Sequence, residues 1–176
     1  MNIPNLLSLF RLMLIPVFVA AFFSGGPNAY KYAACVFLFA SATDVLDGFI
    51  ARKFNKITKL GRILDPLADK LMTATVLVCI VIGEILPVWV ICVFVAKELL
   101  MLIGGLFMYG RVKDVMASNV FGKAATVSFF LVCMALMLFP VPEWAATLMI
   151  SVALGLTVLS LVIYGIQMFR LIGKEK

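Results

Sequence analysis

The chain consists of six long apolar stretches separated by short polar connections. The stretches cover about residues 6–24, 30–50, 64–83, 86–109, 120–140 and 144–169. Each is close to the roughly 20 residues that a helix needs to cross the hydrocarbon core of a bilayer. Glycine and proline mark several of the breaks, as at Gly25, Gly83 and Pro140, where a helix is expected to stop. The pattern predicts an all-α integral membrane protein, folded as a bundle of six transmembrane helices.

The overall composition supports the same conclusion. Of the 176 residues, 64% are hydrophobic and 14% are charged, whereas soluble domains are roughly half apolar and a quarter charged. A soluble enzyme, a disordered tail and a disulfide scaffold are excluded, because a water-soluble fold of this size could not bury so much apolar surface. Six spans leave little chain for anything else, so we predict a single membrane domain over residues 1–176.

Two residue types limit the chemistry that the chain can perform. Histidine is absent, which excludes Ser-His-Asp triads, Cys-His dyads and zinc sites that use His. The four cysteines stand singly inside apolar stretches, at Cys35, Cys79, Cys92 and Cys133. Without a CxxC spacing they predict neither a metal site nor a redox pair, and we interpret them as reduced packing residues.

Positive charge is concentrated in the connections on one side of the predicted membrane. Residues 52–62 contain five basic residues and residues 111–123 contain three more, whereas the opposite connections contribute only Lys31, Glu84 and Glu143. The positive-inside rule therefore predicts a multi-pass protein of the plasma membrane with both termini in the cytoplasm. Anionic lipid headgroups account for the net charge of +6, so we predict membrane lipids, and no nucleic acid, as partners.

Four aspartates lie at or inside the ends of the predicted second and third spans, namely Asp44, Asp47, Asp65 and Asp69. An ionised carboxylate costs at least roughly 2.5 to 3.5 kcal/mol there on membrane-insertion scales, so the group needs compensating charge. Members of the first pair are three residues apart and members of the second pair four apart, so each pair projects from one helical face. Antiparallel packing of the two helices would bring all four carboxylates together on the cytoplasmic side.

Divalent cations are the compensating charge that this set of residues favours. An all-carboxylate cluster without His or Cys selects hard cations such as Mg²⁺ or Mn²⁺, and four carboxylates are enough to hold two ions. The alternative is that Asp44 and Asp65 form structural ion pairs with Arg52, Lys70 or Arg62. The metal interpretation is favoured over ion pairs, because the four aspartates form two pairs and the members of each pair share one helical face.

Residues near the aspartates suit contact with a phosphorylated ligand. Gly48 has no Cβ, which allows a ligand to approach the helix backbone closely. Arg52 follows one turn later on the same face, where a guanidinium can make a bidentate contact with phosphate oxygens. Gly61 provides an open turn before the second pair. Thr58 either contacts the ligand through its hydroxyl or caps a turn.

The aspartates and their neighbours form a motif with fixed spacing. Residues 44–69 match the pattern D-x2-D-G-x2-A-R-x8-G-x3-D-x3-D at every fixed position. The chain therefore resembles the CDP-alcohol phosphatidyltransferases. Its opening segment, from Asn2 to Arg11, and its six-span plan are similar to those of members that make phosphatidylglycerophosphate.

This resemblance implies a reaction and a set of residue roles. A member of the family would move a phosphatidyl group from CDP-diacylglycerol to an alcohol and release CMP, at an active site on the cytoplasmic end of the bundle. The four aspartates would bind two Mg²⁺ or Mn²⁺ ions, and Asp69 would also be the general base. The residues assigned to the CDP-lipid site are Gly48, Arg52, Thr58 and Gly61, with Asn5 and Ser8 nearby.

The acceptor alcohol is predicted from the remaining basic residues on the cytoplasmic side. Lys97 lies inside an otherwise apolar span, and Arg111 and Lys123 flank the connection between the fourth and fifth spans. Such positive charge suits an anionic acceptor, and we predict glycerol 3-phosphate. The ordinary alternative is that Lys97 pairs with Glu98 and that Arg111 anchors its helix at the membrane surface.

Phosphatidylglycerol, which the cardiolipin synthases of this family use, is the alternative acceptor. Residues 118–129 resemble the Gly-Lys-x-Lys-Thr stretch of the phosphatidylglycerophosphate-forming members, with Ala125 in place of the second Lys and Phe129 in place of a Gln. Residues 85–88 and 97–103 are similar to the cardiolipin synthases. A lipid acceptor needs lateral access for a second pair of acyl chains, whereas glycerol 3-phosphate enters from the cytoplasm.

A cation transporter and a purely structural membrane protein are the alternatives from other classes. A transporter also carries intramembrane aspartates, but they are expected near span midpoints or in repeated halves of the chain. The aspartates of this chain cluster at one end of two spans, and no internal repeat is found. A structural protein would explain the six spans but not the aspartate spacing.

For the assembly of the protein, we predict a homodimer.

Overall fold

Six helices make up the described part of the chain. The computed structural model describes the backbone of residues 3–53, 61–108 and 120–174 and the side chains of residues 6–46, 64–104 and 122–166. The helices are α1 (Ile3–Phe22), α2 (Ala29–Lys53), α3 (Gly61–Ile82), α4 (Trp89–Met108), α5 (Val120–Leu138) and α6 (Glu143–Lys174). Within those ranges there is no strand, so the prediction of an all-α fold is confirmed.

The helix ends differ from the predicted spans at charged residues and prolines. α2 continues to Lys53 and α6 continues to Lys174, because a charge ends an apolar stretch without ending the helix that contains it. Prolines precede α4 and α6, and their carbonyl oxygens accept the first helical hydrogen bonds. Val90 donates to the Pro87 carbonyl, and Ala145 and Ala146 both donate to the Pro142 carbonyl.

Within the described residues, two helical segments are long and apolar enough to cross a bilayer, Ala29–Leu46 and Glu143–Ile166. Leu6–Phe22 and Gly122–Leu138 are shorter apolar helices. Large hydrophobic side chains are exposed on all six helices, for example Phe39, Val78, Leu102 and Trp144. Soluble monomers rarely expose contiguous apolar patches above a few hundred Å². The surface therefore agrees with a lipid environment, and the coarser prediction of an all-helical protein with membrane-spanning segments stands.

The contacts group the helices into two compact units. The first unit contains α1, α2, α3 and residues Met134–Pro140. The second contains α4, the rest of α5, and α6. The predicted single domain over residues 1–176 stays a prediction.

In the first unit, α1 packs against both α2 and α3, and α2 also contacts α3. The buried face of α1 is aromatic in its second half, where Phe18 and Phe22 lie. The Phe18 ring meets Phe37 of α2 with centroids 6.3 Å apart, and Phe22 meets Tyr30 at 4.8 Å. α2 presents small buried residues to its neighbours, including Ala33. Small residues allow helix backbones to approach closely in membrane bundles.

The directions of these three helices follow from which residues meet. Along α1, Phe22 contacts the start of α2, and Arg11 contacts Asp44 near its end. α1 and α2 are therefore antiparallel. Ser8 contacts Asp65 near the start of α3, and a Cβ built on Gly83, just after α3, would lie 3.1 Å from the Phe22 ring. α1 and α3 are therefore parallel, so the end of α2 and the start of α3 lie at the same end of this unit.

In the second unit, α4 packs against α6. α4 also meets α5 through Phe94 and Phe129, whose rings stack with centroids 5.7 Å apart. α5 and α6 approach closely at Gly122, where an added Cβ would lie 3.2 Å from the Ser160 hydroxyl. An added methyl group at position 122 would therefore require the Ser160 side chain to move slightly.

Candidate active site

The site is organised by one face of α1. Ser8 and Arg11 are three residues apart in the helix, so their side chains point to the same side. Both are buried, with 0% and 1% of their surface exposed. Buried polar and charged side chains need hydrogen-bond or ion-pair partners. The partners of Ser8 and Arg11 include carboxylates of two different helices.

Arg11 forms an ion pair with Asp44 of α2. The distance between the Arg11 Nη1 and the Asp44 Oδ1 is 2.5 Å. The two side chains differ in exposure, since 1% of the Arg11 side chain is exposed and 41% of the Asp44 side chain. A guanidinium stays protonated in proteins, so a buried arginine depends on a nearby carboxylate. Asp44 therefore has a buried contact with α1 and an open side.

Ser8 connects α1 to α3 in the same way. The Ser8 hydroxyl donates a short hydrogen bond to the Asp65 Oδ1. A serine hydroxyl has a single proton to donate, and in this arrangement the Asp65 carboxylate receives it. Asp65 is half-buried. One turn of α1 thus contacts a carboxylate from α2 and a carboxylate from α3.

Asp69 lies one turn beyond Asp65 in α3 and is exposed. A separation of four residues places both side chains on the same side of a helix. The predicted helical context of this pair is therefore confirmed. Its exposure leaves Asp69 accessible from outside the bundle, whereas Asp44 and Asp65 are engaged with α1.

The other predicted site residues lie wholly or partly outside the described residues. Asn5, Asp47, Gly48, Arg52 and Gly61 fall within α1, α2 and α3, but their side chains are not described. Thr58 and Arg111 lie outside the described residues altogether. Their assignments remain predictions.

The donor atoms of the described carboxylates fit a divalent cation. Asp44, Asp65 and Asp69 all have described side chains, and no group of three or more residues that could hold a metal ion occurs among the described side chains, so these three carboxylates are not brought together as one cation site. The side chain of Asp47 lies outside the described residues. Asp44 and Asp65 each contact α1 through the Oδ1 atom. A carboxylate has two oxygens with about four lone-pair sites, so one such contact leaves coordination capacity. Oxygen donors of this type suit Mg²⁺ and Mn²⁺.

Arg11 is the residue that the sequence analysis missed. The predicted structural partners of Asp44 were Arg52, Lys70 and Arg62, and the described partner is Arg11. One signal could have identified it. Arg11 is the sole charged residue in the first apolar stretch, and an intramembrane charge is expected to face a partner of opposite sign.

The candidate acceptor residues lie in the second unit. The Lys97 Nζ is 2.5 Å from the Glu98 Oε1 and 5.3 Å from the centroid of the Phe94 ring. The alternative predicted for Lys97, pairing with Glu98, therefore occurs. Lys123 is exposed on α5. Phe129, which departs from the family pattern, is buried and stacks on Phe94.

Comparison with known proteins identifies the family. The sequence pattern of the CDP-alcohol phosphatidyltransferases matches residues 1–163, a range that contains all the site residues described above. The chain belongs to the CDP-alcohol phosphatidyltransferase family. It is accordingly a transferase of phospholipid biosynthesis, in a family of membrane-bound enzymes.

Individual relatives carry two different names. A CDP-diacylglycerol–glycerol-3-phosphate 3-phosphatidyltransferase of Bacillus subtilis is 34% identical over 181 aligned positions, which cover 96% of this chain and 93% of the relative. A CMP-forming cardiolipin synthase of Streptomyces coelicolor is 37% identical over 153 positions, covering 84% of this chain and 70% of the relative. A second enzyme with the first name, from Pseudomonas fluorescens, is 49% identical over 81 positions, covering 46% of this chain and 42% of the relative.

Proposed function

We propose that the protein transfers the phosphatidyl group of CDP-diacylglycerol to the hydroxyl of glycerol 3-phosphate, forming phosphatidylglycerophosphate and CMP. The observation that carries the proposal is the placement of the family motif. Its two aspartate pairs lie on α2 and α3, and Asp44 and Asp65 contact one face of α1. The similarity to the Bacillus subtilis enzyme, which extends over 96% of the chain, supports glycerol 3-phosphate as the acceptor.

Metal binding is part of this proposal. Asp44, Asp47, Asp65 and Asp69 would hold two Mg²⁺ or Mn²⁺ ions. Such ions neutralise a pyrophosphate, hold it in line with an incoming hydroxyl and stabilise the charge of the leaving phosphate. The Asp44–Arg11 and Asp65–Ser8 contacts orient two of the four carboxylates.

The remaining roles in the reaction, proton transfer and substrate binding, are assigned to residues of the chain. Asp69 is exposed, so a small water-soluble acceptor can reach it, and its carboxylate accepts the proton of the attacking hydroxyl. The new bond joins that oxygen to the phosphatidyl phosphorus, and the bond to CMP breaks with its electron pair on the CMP oxygen. Arg52 binds phosphate oxygens of the nucleotide, together with Gly48, Thr58 and Gly61. Asn5 and Ser8 lie near this site.

The proposed orientation places this chemistry at the cytoplasmic face of the plasma membrane. All six helices would span the bilayer, and both termini would be cytoplasmic. The excess of basic residues in residues 52–62 and 111–123 supports this orientation. The lipid tails of CDP-diacylglycerol would remain between helices while its cytidine enters from the cytoplasm. A homodimer is the proposed assembly.

CMP release with alternative acceptors tests the function. Purified protein in detergent is incubated with CDP-diacylglycerol, Mg²⁺ and either glycerol 3-phosphate or phosphatidylglycerol, and both CMP and the lipid product are measured. We expect CMP release and phosphatidylglycerophosphate with glycerol 3-phosphate. The similarity to the Streptomyces coelicolor cardiolipin synthase makes the second acceptor the necessary comparison. Cardiolipin formation without use of glycerol 3-phosphate would overturn the acceptor assignment and leave the transferase class intact.

Substitutions of three basic residues separate the nucleotide side from the acceptor side. Lys123→Ala, or Arg111→Ala, is expected to raise the KM for glycerol 3-phosphate, and Arg52→Ala the KM for CDP-diacylglycerol. A lost charged hydrogen bond costs about 1.5 to 3 kcal/mol, roughly tenfold to hundredfold in KM. The acceptor-side variants and Arg52→Ala are controls for one another, because every one of these variants loses one positive charge. Lys31→Ala, in the first turn of α2 on the side assigned as opposite, should change neither constant. Equal effects of Arg52→Ala on both substrates would contradict its assignment.

A further inference from the structure

Two buried polar residues of α1 contact carboxylates that belong to different helices. Arg11 contacts Asp44 of α2, and Ser8 contacts Asp65 of α3. The two α1 residues are 1% and 0% exposed and lie one turn apart. Their contacts therefore relate the position of one carboxylate to that of the other through a single rigid helix.

We propose that Ser8 and Arg11 are positioning residues that fix the Asp44 and Asp65 carboxylates relative to each other for cation binding. The inference rests on the proposed two-ion function of the same carboxylates. Neither α1 residue is assigned a contact with the reacting atoms. Both act through the aspartates that they orient.

The exposure of the two partners supports a positioning role for Arg11. The Asp44 side chain is 41% exposed, so its carboxylate is open to a second partner besides Arg11. What Arg11 adds is a positive charge at a fixed place, because its guanidinium is planar and buried, with Nη1 2.5 Å from the carboxylate. Lysine keeps the charge but not the planar group, so the change Arg11→Lys separates orientation from electrostatic compensation.

The hydroxyl of Ser8 plays the equivalent part for Asp65. Its single proton goes to one carboxylate oxygen, which selects one orientation of that carboxylate group. Groups that hydrogen-bond to metal ligands typically change metal affinity about 10- to 100-fold when they are removed. Ser8→Ala removes the proton donor without adding volume to the buried helix face.

A direct measurement of Mn²⁺ binding tests the proposal independently of turnover. The full chain is purified in detergent, and the dissociation constant of Mn²⁺ is measured by titration calorimetry or by the loss of the free-ion signal in electron paramagnetic resonance, without substrates. We expect about tenfold or weaker binding for both Arg11→Lys and Ser8→Ala. In the CMP assay the same variants should need more Mn²⁺ for half-maximal rate and recover at saturating Mn²⁺.

The control variant is Phe18→Leu. Phe18 is fully buried on the same face of α1, and its ring meets the rings of Phe22 and Phe37, so its substitution should lower thermal stability and leave Mn²⁺ affinity unchanged. Wild-type affinity in both Arg11→Lys and Ser8→Ala would overturn the positioning role while CMP release by the wild type upheld the proposed function. Failure of the wild type itself to bind Mn²⁺ and to release CMP would overturn both proposals.

Discussion

Asp69→Asn is expected to reduce CMP release at least about a thousandfold while leaving the protein folded. A positioned general base contributes roughly 10²- to 10⁴-fold, and the same substitution also removes a proposed cation ligand. The side chain is exposed on α3, and asparagine has nearly the same shape, so the helix should tolerate the change. The measurement is CMP release at saturating substrates, together with the thermal midpoint of the purified variant.

Two controls accompany this variant. Glu84→Gln makes the same acid-to-amide change at an exposed position just beyond the other end of α3 and should retain full activity. EDTA should abolish wild-type CMP release, and excess Mg²⁺ should restore it. Activity of Asp69→Asn within tenfold of the wild type would be incompatible with its assignment as the base.

Loss of Asp44 is expected to destabilise the protein more than loss of Arg11. Removing one partner of a buried ion pair costs about 3 to 5 kcal/mol when the remaining charge stays buried. Asp44→Asn leaves the guanidinium of Arg11, which is 1% exposed, without its carboxylate. Arg11→Met leaves the Asp44 carboxylate, which is 41% exposed and not buried. Asp44→Asn is therefore expected to lower the stability more than Arg11→Met, because the charge that it leaves behind is buried.

Thermal unfolding with a thiol-reactive dye measures this difference. Cys79 lies buried in the same unit as the ion pair, whereas Cys35 and Cys92 are exposed and react in the native state. The rise in labelling above the native level therefore reports the exposure of the buried thiols, Cys79 among them. We expect the lowest midpoint for Asp44→Asn. The double variant Arg11→Met/Asp44→Asn, which removes both charges, should regain part of the stability but none of the activity. A lower midpoint for Arg11→Met than for Asp44→Asn would contradict the inferred dependence of Arg11 on Asp44.

The helices could be predicted well from the apolar pattern because each apolar stretch is about as long as a bilayer is thick. The helix ends could not be predicted, because an apolar stretch ends at a charged residue, whereas the backbone hydrogen bonds of a helix continue through that residue. α6 is the clearest case, because it continues to Lys174 through a basic segment. The parallel arrangement of α1 and α3 also depends on contacts between distant residues, such as Ser8 and Asp65.

The four aspartates are conspicuous in the sequence because their cost in a membrane and their helical spacing are both visible there, and their role as a metal site stays a prediction. Their family is confirmed by the match over residues 1–163. The partner of Asp44 could not be predicted, because spacing relates residues within one helix and not between helices. Arg52 and Lys70 are near Asp44 and Asp65 along the chain, whereas Arg11 is near Asp44 only after α1 and α2 pack together.

The contacts of α1 also set an order for the biosynthesis of the protein. Arg11 is synthesised before Asp44, so α1 leaves the ribosome with a charge whose partner carboxylate has yet to be made. The partner of Ser8 is made later still, since Asp65 follows 57 positions after it, roughly 3 to 11 s at ordinary rates of translation. Both contacts of α1 can therefore form only after the start of α3 has been synthesised.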